Sequence, residues 1–239
     1  RQEDADVIVA ALGPEIRSEH PDWSQPEWVD FAIRYCAASD ATPVCAETSV
    51  ARALIALHYQ NDICHPDGKI PFAIDWAAST SPQFLEASRK ALGRARQLGF
   101  VIAHVHIAFS PDYADLPRHG RHFRKVAELG AVTLGSWGAE PYAGFEPLPG
   151  ETFLIHKGNS AFFATRLDAI LEASAVTDLT VCGLATQFSV EHTVRDAADR
   201  GFRVTVLRDC CASANAVAEA AAFEVMSMLA EVAESTNWP

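Results

Sequence analysis

Short apolar runs alternate along this chain with longer amphipathic stretches. Residues 53–57 (Ala-Leu-Ile-Ala-Leu), 100–109, 152–155, 178–183 and 203–207 are apolar and partly β-branched. Runs of that length and make-up suit strands buried on both faces. Residues 79–99 predict a helix: Ser79 to Ser81 supply caps, Pro82 suits the first turn and Gly99 stops it. Val190, Val194, Ala197 and Ala198 fall at helical spacing and should face the sheet. Thr165 and Asp168 make a capping-box-like helix start. Ser213 is expected to cap a final Ala-rich helix running toward Glu234. This alternation predicts an α/β fold, a doubly wound, mainly parallel sheet with helices on both faces and right-handed crossovers.

The ends and the middle differ from that rhythm. Residues 1–50 read as a helical N-terminal extension in front of the α/β domain of residues 51–239. Trp28, Phe31, Ala32 and Tyr35 lie at helical spacing, an apolar face that packs on the domain or a neighbouring subunit in preference to forming a lid. Residues 39–49 are polar, with Pro43, and read as a linker. Residues 110–150 are loop-rich, and Arg118, His119, Arg121, His122 and Arg124 give them local positive charge. Two readings stand equal: a wall of the ligand pocket, or a solvated basic face.

Composition narrows the function. With 239 residues, 49% hydrophobic and 21% charged, the chain suits one soluble domain with an extension. A net charge of −12 argues against nucleic-acid partners, and no apolar run is long enough to span a membrane. Cysteine usage suits a cytoplasmic location, which is the expectation. The six cysteines show no Cys-x-x-Cys spacing and read as reduced thiols. His104 and His106 share one face of a predicted strand and could ligate a metal. A structural or substrate-facing role is favoured, and no metal or cofactor is expected.

The candidate chemistry centres on residues 181–192. An apolar strand turns at Gly183 into a helical pattern, holding the intervening residue, Ser189, over a helix N-terminus. Unpaired N–H groups there favour developing negative charge. Five segments carry a family signature: His58-Tyr59-Gln60-Asn61-Asp62 after the first strand, Gly135-Ser136-Trp137-Gly138-Ala139-Glu140, His156-Lys157-Gly158-Asn159-Ser160-Ala161-Phe162, Gly183-Leu184-Ala185-Thr186 with Ser189 and Val190 beyond it, and Asp209-Cys210-Cys211-Ala212-Ser213. Over about residues 51–235 these resemble the isochorismatase-like, or cysteine hydrolase, superfamily.

The resemblance implies a Rossmann-like three-layer fold and usually a homo-oligomer, a dimer or tetramer. It implies a nucleophilic cysteine, an acid/base aspartate and a lysine. Here Ser189 takes the cysteine position and His58 the aspartate position. Lys157 is assigned the lysine role because it keeps a fixed positive charge, although counting back from Ser160 without a gap selects His156. The resemblance also implies a cis peptide at Leu184–Ala185, an oxyanion hole from the N–H groups of Ala185 and Ser189, and pocket residues Gln60, Trp137 and Phe162.

A serine needs a general base, and His58 is a sensible one. Asp62 could orient it, or could cap a turn, which is favoured. The expectation is a metal-independent hydrolase of a small polar metabolite, cleaving an amide, an ester or a vinyl ether. In the last case His58 would donate a proton and Ser189 would only line the pocket. The alternative is a catalytically inactive binding or scaffold protein on the same fold.

Overall fold

The computed structural model describes residues 51–70, 82–213 and 215–238. The expected N-terminal helices, their apolar face, the linker and the boundary near residue 50 lie outside the described residues.

Six parallel strands form one sheet: β1 (Ala51–Leu57), β2 (Val101–Ile107), β3 (Thr152–His156), β4 (Val176–Leu184), β5 (Arg203–Ala212) and β6 (Glu231–Ala233), in the spatial order β3-β2-β1-β4-β5-β6. Four short or medium helices matter below: α1 (Asn61–Cys64), α2 (Pro82–Gln97), α3 (Arg121–Leu129) and α4 (Leu167–Ala173). Two more follow, α5 (Glu191–Asp199) and α6 (Ala216–Met226). The apolar runs are strands because the sheet is covered on both sides. Leu54 and Ala56 of β1 pack with Phe84, Leu92 and Ala95 of α2. The alternate residues Ile55 and Leu57 pack with Leu167, Val194 and Phe223 of α4, α5 and α6. Burial on both faces removes the polar alternation of a half-exposed strand.

The sheet grows from β1 outward to β2 and β3, then returns to the other side of β1 for β4 and beyond. Neighbouring crossovers from β1 and β4 therefore leave in opposite directions, opening a crevice at the strands' carboxyl ends, where such sheets bind ligands. His58 follows β1 and Ser189 follows β4, so the topology brings both to that crevice. Gly183 permits the close approach: its φ is 130°, and a Cβ there would lie 2.1 Å from the Leu57 carbonyl oxygen.

Three local expectations need correction. The last helix ends at Met226, and residues 231–233 are a strand. The backbone of Thr205–Leu207 would otherwise be an unpaired edge, and pairing with Glu231–Ala233 satisfies it despite a helix-like sequence. The cap of α6 is Asn215, whose side chain accepts the Ala218 N–H, whereas the Ser213 hydroxyl donates to Gln187. The Thr165 hydroxyl accepts the Leu167 N–H, but Asp168 turns away to pair with Arg200.

The loop-rich stretch also contains α3. Its Phe123 and Val126 are buried, and Gly130 stops it in a left-handed conformation. No described helix is long and apolar enough to cross a membrane. Cys64, Cys182, Cys210 and Cys211 are free and buried, and burial pushes the Cys64 and Cys182 thiols up to about 12.

Candidate active site

His58 is the first residue beyond β1. Its backbone turns into the left-handed region (φ 59°) while its N–H still bonds the Val105 carbonyl. That conformation is costly for a non-glycine residue, and here it aims a buried imidazole at the crevice. His156, the last residue of β3, is fully buried, and its Nε2 lies 2.6 Å from Nε2 of His58. Its Nδ1 lies 2.9 Å from the Ser160 carbonyl oxygen.

These two contacts favour one pair of tautomers. A carbonyl oxygen only accepts, so Nδ1 of His156 carries the hydrogen. Neutral His156 is then bare at Nε2 and accepts the Nε2–H of His58. On that assignment Nδ1 of neutral His58 is the nitrogen left to accept, while the Leu184 carbonyl, a backbone partner of the same ring, favours a hydrogen on it. Burial holds both rings neutral. It drives His58 well below the ordinary histidine range, helped by His156 and His106, while the nearby Leu184 carbonyl works the other way. It also drives His156 to about 4, opposed by the Ser160 carbonyl and aided by Lys157.

Ser189 sits in a widened helical turn, Thr186–Val190, that leads into α5. The peptide bond Leu184–Ala185 is cis. Ser189, Ala185 and His58 line one cavity of about 60 Å³, with Ile63, Ile70 and Ile107 as apolar wall. Phe123 and Val126 of α3, together with His122, Asn159 and Phe188, also line it. Among the described residues the Ser189 hydroxyl has no hydrogen-bond partner.

The other predicted site residues lie elsewhere. Lys157 donates to the Asp115 carboxylate at 2.7 Å and to the Ala108 carbonyl at 2.5 Å, above the Phe109 ring. Its ammonium is thus committed outside the cavity, and His156 stands beside His58 in its place. The physical reason is strand alternation: adjacent residues at the end of β3 point to opposite sides. Gln60 is fully buried, and its amide is spent on the backbone of Ile107 and Ala139. Trp137 is 47% exposed, against His65. Phe162 packs on Phe202 and lines a separate surface groove. Asp62 accepts the N–H groups of Lys69 and Val132 and pins two loops, so it does not orient His58. His104 pairs with Glu151 at 2.8 Å. His106 is buried with Nδ1 unpartnered among the described residues. No group of three or more His, Cys, Asp or Glu among the described residues is arranged to hold a metal.

From the sequence, His122 stood out only within a stretch read equally as a pocket wall or a solvated basic face, and Asn159 and Phe188 were passed over as cavity residues. The signal for the first was present: Arg121–Leu129 has apolar residues at helical spacing and Gly130 beyond it, which places His122 in a first helical turn.

Comparison with known proteins fits this geometry. The chain matches the isochorismatase domain over residues 52–237. It is 30% identical to the ureidoacrylate amidohydrolase RutB of Cronobacter sakazakii, over 66% of this chain and 72% of that one. It is 31% identical to the maleamate amidohydrolase of Pseudomonas putida, over 53% of this chain and 58% of that one. An isochorismatase family protein from Desulfovibrio vulgaris has a similar structure, with a TM-score of 0.69 and 26% identity, covering 78% of this chain and 95% of that one. A parallel sheet with its cavity between β1 and β4, a turn carrying Ser189 after a cis peptide, and a domain match across nearly all described residues lead to one conclusion: this chain belongs to the isochorismatase family.

Proposed function

We propose that the protein hydrolyses a small amide, with Ser189 as nucleophile, His58 as general base and His156 as the residue that orients it. One observation carries this reading. The Ser160 carbonyl, His156 and His58 stand in a chain of hydrogen-bond contacts that ends in a cavity shared with Ser189, and in the proposed tautomer Nδ1 of His58 is the accepting nitrogen. A neutral imidazole is a competent base, and serine requires one.

Each step uses the chain's own groups. His58 takes the hydroxyl proton through Nδ1 as Oγ of Ser189 attacks the carbonyl carbon. The resulting oxyanion is held by the N–H groups of Ala185 and Ser189. The imidazolium is steadied by the bare Nε2 of the following ring in the relay and by the Leu184 carbonyl. It returns the proton to the leaving nitrogen as the C–N bond breaks, leaving an ester on Ser189. Water, deprotonated by the same ring, then cleaves that ester. The His156–carbonyl pair fills the orienting role that a carboxylate fills in Ser–His–Asp sites.

The named relatives are amidohydrolases, which favours an amide over an ester. Vinyl ether cleavage starts with proton donation, and a ring that burial holds neutral is a poor resting donor. The test is a turnover screen over small amides, esters and vinyl ethers, with Ser189→Ala and His58→Ala alongside. Amide hydrolysis lost by at least about a hundredfold in both variants is expected. Activity surviving both changes removes the assignment, and ligand binding without turnover in the parent chain identifies a binding protein on this fold.

A further inference from the structure

The cavity has a second polar group, or pole, besides His58 and Ser189. His122 lies in the first turn of α3, with its Nε2 at 3.2 Å from Oδ1 of Asn159, and both side chains line the cavity. The imidazole stacks on Phe188 with ring centroids 5.0 Å apart and planes 8° from parallel. Phe188 adjoins Ser189 in the chain, and its carbonyl accepts from Nδ1 of His192. His122 is therefore held against the same turn that carries the nucleophile.

Hydrogen-bond counting constrains what this pole can hold. A neutral histidine offers one donor and one acceptor, and an asparagine amide offers both kinds. Their mutual bond consumes one of each. If Nε2–H of His122 donates to Oδ1, then Nδ1 of His122 remains as acceptor and the asparagine NH₂ as donor. If the amide is turned over, Nδ1–H remains as donor and the asparagine oxygen as acceptor. Either arrangement leaves a donor and an acceptor side by side.

We infer that His122 and Asn159 are specificity-determining residues that grip the non-reacting end of the substrate, and that this end is an uncharged group with its own donor and acceptor, a carboxamide or a urea. The inference rests on the hydrolase reading for which end reacts. A carboxylate, which only accepts, would face a lone pair in both arrangements. Only a protonated His122 would turn the pole into donors throughout; burial first, and then His192, oppose that protonation and outweigh the hydrogen bond to Asn159, which favours it. Arg121 and Arg124 on the same helix are exposed and take no part in the cavity wall. Ile63, Ile70 and Val126 make the rest of the lining largely apolar. The preferred substrate is thus a compact molecule with an amide at one end and a second amide or urea at the other.

The experiment compares malonamide and succinamide, each against its half-acid, at pH 7.5. Turnover is followed by ammonia release, and binding by calorimetry on the Ser189→Ala chain. The diamides are expected to exceed their half-acids by at least about tenfold in kcat/KM, since an unmatched buried polar group weakens binding strongly. His122→Phe, which preserves the stack on Phe188, and Asn159→Ala should each reduce that preference below about threefold, through KM with kcat little changed. His122→Gln, which restores a donor and an acceptor, should recover part of it. Equal or better use of the half-acids overturns the inference, as does a preference that persists in both variants. If nothing is turned over but the Ser189→Ala chain binds diamides selectively and His122→Phe abolishes the selectivity, the pole is supported and the hydrolase reading fails. If no diamide binds, the pole is refuted.

Discussion

The Nε2 atoms of His58 and His156 meet at 2.6 Å across a sequence separation of 98 residues. Changing His156 should therefore act through His58. His156→Leu leaves the Nε2–H of His58 buried without an acceptor and frees its tautomer. We expect kcat to fall about a hundredfold, with stability reduced by about 1–3 kcal/mol. His156→Gln, whose amide oxygen can accept that hydrogen, should restore part of kcat. Steady-state kinetics and denaturation midpoints check both, and equal activity in the two variants would remove His156 from the relay.

Acid should destabilise the fold through the same rings. A histidine held neutral by burial binds a proton more weakly when folded than when unfolded. Its contribution is complete above the ordinary value of about 6.5 and is lost as pH falls toward the folded value. For His156 that lies at about 4 and for His106 at about 3. Each such ring should remove about 1.4 kcal/mol per pH unit within its window. Urea midpoints measured from pH 7 to pH 4 should fall, and the slope should be shallower in His156→Gln. Parallel slopes would mean that the ring is not buried neutral.

Lys157 offers the opposite case. Its ammonium pairs with Asp115 in a partly exposed bridge. Lys157→Met should cost at most about 1 kcal/mol of stability and leave kcat within about threefold. A large loss of kcat with normal folding would return the lysine to the catalytic machinery.

Gly183 should tolerate nothing larger. A methyl group there meets the Leu57 backbone at 2.1 Å, in a φ region closed to other residues. Gly183→Ala is expected to lower stability by more than about 3 kcal/mol. A denaturation midpoint close to that of the parent would show that β1 and β4 can separate without harm.

Much of the architecture was legible from local pattern. The apolar runs at 53–57, 100–109, 152–155, 178–183 and 203–207 each contain or overlap a strand. In β1 burial on both faces demands apolar residues throughout, whereas β3 at the sheet edge leaves Phe153 and Ile155 exposed. The turn at Gly183 and the position of Ser189 were readable for the same local reason. The strand at Glu231–Ala233 was not, since its hydrogen bonds belong to a vacancy on β5 that no local sequence reveals.

The site divides along the same line. By itself the sequence determined which residue types were available: an imidazole after β1, a hydroxyl before α5, and His156 next to Lys157. Only the tertiary structure decided between those two neighbours, because adjacent residues at a strand end face opposite sides and one side alone meets His58. It also decided that Gln60 and Asp62 bind backbone and that His122 and Asn159 close the cavity. Hydrogen bonds between segments some hundred residues apart have no periodicity to betray them. They exist only once the sheet has stacked those segments side by side.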